Sequence, residues 1–436
     1  MMELIMPRVL KGFRDFLPEQ EIVRRGLSEK LEAGFRSFGF LPIDTPALEY
    51  AEVLLGKAGG ETEKQVYRFT DNGGRDVALR FDLTVPFARF VAEHRAELVF
   101  PFKRYHIAKV WRGENTQKGR YREFTQCDFD IVGADSAAAD FEILLMMRNA
   151  LVACGAGDAT ICVNHRGLFN RFLGRLGVEE KLVDILRAVD KLSKIGSDGV
   201  RELLCACAGE DAAGAALDFV NFKGDWEETL EMMTQAAGGD NPDSERLRLI
   251  RSYLVDAGCH DAFKLDPSIM RGLDYYTGIV CESFLNALPS IGSVCSGGRY
   301  DRLLSLYSKE ALPGVGASVG LDRLIAALES LGAGAGKRTY AACAIACVEE
   351  AAYGRYQAIA EKIRRAGIDC EVFGEAKKLS AQFVMAEKRG IRRVIVPPSG
   401  DATSFILREI PSRTNREGLS LEGVIGIVKA SEAHPF

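Results

Sequence analysis

The sequence predicts an α+β protein in two parts, on three observations. Between residues 66 and 133, short strand-like stretches are joined by the turn "DNGG" and the charged loop "RGENTQKGR", the pattern of strands paired through tight connections. Residues 168–260 change character to Ala- and Leu-rich helical segments broken by "AAGGDNPDS", and read as an inserted helical block. Beyond the Gly/Ala linker "LGAGAGK" (331–337), strands and helices alternate in a βαβαβ rhythm, which predicts a small α/β domain with a parallel-leaning sheet. The expected domains are therefore residues 1–335, carrying the insertion at about 168–260, and residues 337–436.

Taken in order, residues 20–40 form an amphipathic helix, because Ile22, Leu27, Leu31, Phe35 and Phe38 recur at helical spacing. Gly39, Pro42 and Pro46 break it, so "GFLPIDTPALEY" (39–50) is extended. Residues 66–91 hold a hairpin, 100–133 two strands around the charged loop, and 137–153 a Leu- and Met-rich helix. Strands return at 278–284 and 291–296. "GVGASVG" (314–320) reads as a Gly-rich turn into a helix at 321–331. Past the linker come a strand at "YAACAIACV", a helix at 351–366, a strand at "DCEVFG", a helix at 378–389 and a strand at "RRVIVPP". "LREIPSRTNREG" (407–418) reads equally as an RNA-facing element or an exposed polar loop.

Composition narrows the function classes. A hydrophobic share of 47% and a charged share of 27% belong to ordinary globular proteins, and no apolar run is long enough to predict a membrane span. The first residues lack a secretory pattern, and eleven cysteines occur without a C-x-x-C pair, which predicts reduced thiols in a cytoplasmic protein. A net charge of −5 excludes a generally basic surface, although residues 337–436 carry 16 Lys and Arg against 12 Asp and Glu.

Five stretches carry candidate chemistry. In "LRFDLTVPFARF" (79–90), Asp82 and Thr84 would share one face of a strand and suit an ammonium group; alternatively, Asp82 caps a helix starting near Pro86. The loop from Arg112 holds Glu114, Lys118, Gly119, Arg120 and Arg122, and its guanidiniums suit phosphate or simply solvate a hairpin tip. The following Gln126, Asp128 and Asp130 alternate with Cys127, Phe129 and Ile131. On a buried strand face they need a polar group over them. "MRGLDYYTG" places Arg271 before Tyr275 and Tyr276, which point to opposite faces of an extended chain. Gly297 and Gly298 precede Arg299 and Tyr300 and permit close backbone approach; Arg323 begins the helix after "GVGASVG".

Together these stretches resemble the class II aminoacyl-tRNA synthetases, and within them the histidyl-tRNA synthetase family. "FGFLPIDTPALEY" is similar to the class's first motif, "VWRGENTQKGRYREFTQCDFDIVG" to the second and "GVGASVGLDRL" to the third. "RGLDYYTG" and "SGGRYDRLL" resemble the two signatures of the histidine enzymes, and the match spans nearly the whole chain. The resemblance implies an antiparallel sheet flanked by helices, a C-terminal anticodon-binding domain, and a cytoplasmic homodimer. The implied reaction is ATP-dependent formation of histidyl-adenylate with Mg²⁺, then transfer to tRNA(His). It implies that Arg112, Arg271 and Arg323 act on the phosphates, and that Glu114, Arg120 and Phe124 complete the ATP site. Asp82, Thr84 and Gln126 would take the α-ammonium and Asp130 with Tyr276 the imidazole, with Tyr275, Gly297, Gly298 and Tyr300 nearby. Where the family often has Glu, this chain has Asp82 and Asp130, whose shorter side chains shift the contact or route it through water. The family also contains a histidine-sensing regulatory subunit of ATP phosphoribosyltransferase, the alternative reading.

Overall fold

The computed structural model describes all residues except 1–4, 57–60, 271–275, 302–304, 306, 308–311, 333–335, 399–402 and 433–436. Its chain divides into two compact units, one of residues 1–14 and 27–334, the other of residues 15–26 and 335–436.

The first unit is built on an eight-stranded sheet. In spatial order its strands are β1 (Leu41–Pro42), β5 (Phe102–Trp111), β6 (Glu123–Val132), β11 (Gly314–Gly320), β10 (Cys295–Arg299), β9 (Ile279–Leu285), β7 (Ala159–His165) and β8 (Phe263–Leu265). The six inner strands pair antiparallel, and only the edge pairs β1–β5 and β7–β8 are parallel. A smaller antiparallel sheet holds β2 (Leu48–Tyr50), β4 (Asp76–Leu79) and β3 (Arg68–Thr70), the last two forming the hairpin expected at "DNGG". Beside it lie α2 (Ala51–Leu55) and α3 (Thr84–Glu93).

Helix α1 (Pro18–Ser37) buries Leu27, Leu31 and Phe35 at helical spacing, and Phe35 packs 5.0 Å from Phe129 at the centre of β6. Helix α4 (Ala137–Ala153) starts where the Ser136 hydroxyl accepts the Ala139 amide. The inserted block comprises α5 (Arg166–Arg175), α6 (Leu182–Val189), α7 (Leu192–Ala208), α8 (Glu210–Asn221), α9 (Trp226–Ala236) and α10 (Pro242–Asp256). Capping boxes at Asp225/Glu228 and Asn241/Ser244 fix the starts of α9 and α10. Helix α11 (Leu321–Ser330) follows β11 directly.

"GVGASVG" corrects the expectation of a turn: it is strand β11, in the middle of the sheet. Glycine is common there because neighbouring side chains lie across the strand. A Cβ on Gly316 would fall on the Asp130 carboxylate, and one on Gly314 on the Tyr300 ring. Asp82 and Thr84 are likewise not on a strand. Thr84 opens α3, and Asp82 accepts the Val85 amide at 3.0 Å, the capping alternative.

In the second unit, β12 (Cys343–Ile345), α12 (Tyr353–Arg365), β13 (Cys370–Val372), α13 (Leu379–Arg389) and β14 (Arg393–Val396) follow the βαβαβ rhythm. The sheet is mixed rather than parallel-leaning throughout. β13, β12 and β14 run parallel, and β15 (Phe405–Glu409) and β16 (Thr414–Leu419) extend it antiparallel before α14 (Leu421–Glu432). Residues 407–418 are thus largely a hairpin, hidden in the sequence because β16 is exposed almost throughout and carries no alternating apolar face.

All eleven cysteines are free thiols. Among the described residues no helix is long and apolar enough to cross a membrane.

Candidate active site

Sheet register assembles the site. Residues paired across antiparallel strands project their side chains from one face. Gln126, Asp128 and Asp130 of β6 stand opposite Gly320, Ser318 and Gly316 of β11. The next strand sets Ser296 opposite Ser318 and Gly298 opposite Gly316, and β9 sets Glu282 opposite Ser296. Polar groups on β6 and β9 therefore face each other across two strands bearing only glycine and serine at those positions, which leaves room above the sheet.

That room is two adjoining clefts. Arg112, Glu114, Arg120, Phe124, Asp322 and Arg323 line one. Asp82, Thr84, Asp128, Asp130, Tyr276, Glu282 and Tyr300 line the other. Arg112, Gln126, Ser296 and Ser318 line both and form the shared wall.

The first cleft is cationic. Arg112 donates to the Phe81 backbone carbonyl at 2.8 Å and to the Gln126 side-chain Oε1 at 3.3 Å, with its guanidinium 5.1 Å from the Phe124 ring centroid. Arg323 donates to the Ser293 carbonyl at 2.6 Å. Burial lowers the Arg323 guanidinium to about 10, and the positive charges of Arg120 and Arg112 push the same way. Arg120 lies 3.5 Å from Glu114. Asp322 binds the Thr125 amide at 2.7 Å and pairs with Arg14, which lies over the Tyr121 ring, so the start of α11 and its Arg323 are tied to β6.

The second cleft is acidic. Burial raises the Asp82 carboxyl to about 6 and Asp128 to about 7, with neighbouring carboxylates adding to both. One oxygen of Asp82 caps α3, while its Oδ2 is buried with no protein partner, leaving an acceptor for a cation. Asp130 accepts from the Tyr300 hydroxyl at 2.6 Å and lies 2.6 Å from the fully buried Arg104 guanidinium. Gln126 donates to Ser318 at 2.9 Å and Asp128 at 3.3 Å, which fixes its amide orientation. The ring of Tyr276 lies against Gly298, where an added Cβ would come within 2.9 Å of it.

Of the residues singled out in the sequence, Arg112, Arg323, Glu114, Arg120, Phe124, Gln126, Asp82, Thr84, Asp130, Tyr276, Gly297 and Tyr300 line one or both clefts. Gly298 lies beneath Tyr276. Arg271 and Tyr275 lie outside the described residues. Sequence reasoning missed Arg104, Tyr121, Glu282, Ser296 and Ser318, and gave Asp128 no role. Only Arg104 had a signal: in "FKRYHIAKVW" it is a charge at an inward position of a mostly apolar strand.

The histidyl-tRNA synthetase family model matches residues 12–324. A histidine–tRNA ligase of Treponema denticola is 54% identical over 90% of this chain and 89% of its own length. The crystal structure of a Nostoc histidyl-tRNA synthetase superposes with a TM-score of 0.84 at 30% identity, covering 98% of this chain and all of that one. A Bacillus halodurans structure described as an ATP phosphoribosyltransferase regulatory subunit/histidyl-tRNA synthetase shares the fold, with a TM-score of 0.74 at 23% identity over 90% of this chain and 99% of its own.

Proposed function

Since this chain belongs to the histidyl-tRNA synthetase family, we propose that it ligates histidine to tRNA(His), forming histidyl-adenylate from histidine and ATP before transfer to the tRNA's 3′ end. The observation that carries the reading is the shared wall: Arg112 and Gln126 border both a cationic and an acidic cleft. An amino acid bound with its ammonium in the acidic cleft turns its carboxylate toward a nucleotide in the cationic one. Arg112 between them holds the α-phosphate as the carboxylate oxygen attacks phosphorus and pyrophosphate leaves.

Arg323 then grips the γ-phosphate end, Phe124 stacks on adenine, Glu114 orients the base or the loop, and Arg120 contacts ATP or the acceptor end. Arg271 acts at the α-phosphate from the opposite side. Asp82, with its unpartnered oxygen, Thr84 and Gln126 take the ammonium. Tyr276 and Asp130 take the imidazole, with Tyr275 alongside; a neutral imidazole offers one donor and one acceptor. Among the described residues no group of three or more His, Cys, Asp and Glu could hold a metal by itself. Mg²⁺ would accompany ATP and would neutralise phosphate charge; Glu114 and Asp322 are the carboxylates that line the cationic cleft, and Glu282 lines the adjoining one.

The second unit, with its basic balance, reads the anticodon. Exposed Leu41, Leu48, Tyr50 and Phe69 on the short strands support a homodimer, and eleven free thiols fit the cytoplasm. A pure histidine sensor would need only the acidic cleft, whereas the arginine-lined cleft has a use where ATP binds. Histidine-dependent exchange of pyrophosphate into ATP tests the reading; purified chain without such exchange refutes it.

A further inference from the structure

We propose that Arg166 is a positioning residue for Tyr276, setting the imidazole end of the cleft from the first residue of helix α5. The inference rests on the reading above. Arg166 lines neither cleft and is 7% exposed. Its Nη1 donates to the Tyr276 carbonyl at 2.9 Å and its Nη2 to the Met270 carbonyl at 3.2 Å. One planar guanidinium thus joins the two residues that flank 271–275 through two nitrogens held in a rigid fork, which the single nitrogen of an ammonium lacks. Its own amide donates to the Gly278 carbonyl at 2.9 Å.

The neighbouring contacts point the same way. Asn164, at the end of β7, donates to the carbonyls of Pro267 at 3.2 Å and Ile269 at 3.0 Å. Beyond Tyr276, the Thr277 amide donates to the Arg299 carbonyl at 2.7 Å, and the Thr277 hydroxyl to Asp301 at 2.6 Å. Tyr276 is therefore fixed at its carbonyl by Arg166, at the following amide by β10, and across its ring by Gly298. Buried carbonyls that lose a fork of donors shift to find others, and Tyr276 shifts with them.

The test is steady-state pyrophosphate exchange by the full chain, comparing wild type, Arg166→Lys, Tyr276→Phe and the double variant, with heat-unfolding midpoints. Arg166→Lys keeps the charge on a shorter side chain that ends in one nitrogen, and so loses the fork across the two carbonyls. It should raise the KM for histidine roughly tenfold while leaving the KM for ATP within about twofold. The double variant should be no worse than Tyr276→Phe alone, because both changes act on one contact. An unchanged KM for histidine, parallel rises in both KM values, or multiplying effects would each overturn the clasp. An Arg166→Lys chain that unfolds at wild-type growth temperatures would overturn it as well, marking the residue as a fold determinant. Wild type without exchange defeats the enzyme reading itself; active wild type with an indifferent Arg166→Lys defeats only this proposal.

Discussion

The guanidinium of Arg112 lies 3.3 Å from the side-chain oxygen of Gln126, and both side chains border the acidic and the cationic cleft at once. Among the described residues no other cation lines both. Arg112→Ala should lower the rate of histidine-dependent pyrophosphate exchange by about 10²- to 10³-fold, the scale of losing one charge-stabilising donor. The side chain is partly exposed, so the unfolding midpoint should move little. Exchange near the wild-type rate would remove Arg112 from the reaction.

Asp82 supplies a pH signature. Burial raises its carboxyl from 3.8 to about 6 in the empty protein, so it is neutral below that pH and cannot pair with an ammonium. Histidine affinity should fall as pH drops from about 7 to 5, and Asp82→Asn should flatten that component while weakening binding roughly 10- to 100-fold at neutral pH. Calorimetric titrations of both proteins across this range check it; parallel profiles would assign the dependence to the ligand's own imidazole and to Asp128, whose carboxyl burial raises to about 7. For the unliganded fold the sign is opposite. The neutral carboxyl is favoured in the folded state, so stability from this group is present at low pH and declines as pH rises through about 6.

Asp130 carries two duties that one substitution cannot separate. It accepts from Tyr300 and neutralises Arg104, which is completely buried. Asp130→Asn should therefore raise the KM for histidine and also cost about 3–5 kcal/mol of stability, since it strands a buried guanidinium. Adding Arg104→Met should recover much of the stability in denaturant titrations without recovering histidine affinity. Recovery of both would place Asp130 outside the substrate contact.

His106 predicts acid sensitivity. Burial, with the charges of Arg104 and Arg80, lowers its imidazole to about 4, although Asp44 accepts or shares a hydrogen bond at 2.9 Å. The unfolded chain binds this proton near pH 6.5 and the folded one only near 4. Stability should thus fall as pH drops through that window, by up to ~1.4 kcal/mol for each pH unit. In His106→Gln the slope of unfolding free energy against pH between 6.5 and 4 should be shallower. An equal slope would assign the acid sensitivity to other groups.

The sequence revealed what depends on local pattern. Strands β5 and β6 and helices α1, α4 and α13 follow from composition and periodicity, and the charged loop pointed to Arg112 and Arg120, whereas Phe124 came with the family resemblance. Strand β11 was obscured for a physical reason: its glycines look like a turn, whereas they are bare because Asp130 and Tyr300 occupy the space above them. Glu282, Ser296 and Ser318 join the site through strand register, which only the folded sheet defines. Arg14 and Asp322 are 308 positions apart, a separation at which no spacing rule operates.

A guanidinium bordering two chambers also makes their occupancies interdependent. Whichever ligand arrives first redirects that charge, and the second then meets an altered host. By thermodynamic reciprocity, nucleotide must change amino-acid affinity by the same factor that amino acid changes nucleotide affinity, whatever the order of addition. A compound bridging the partition with an uncharged linker would forgo this coupling, and one carrying an anion at the partition would exploit it.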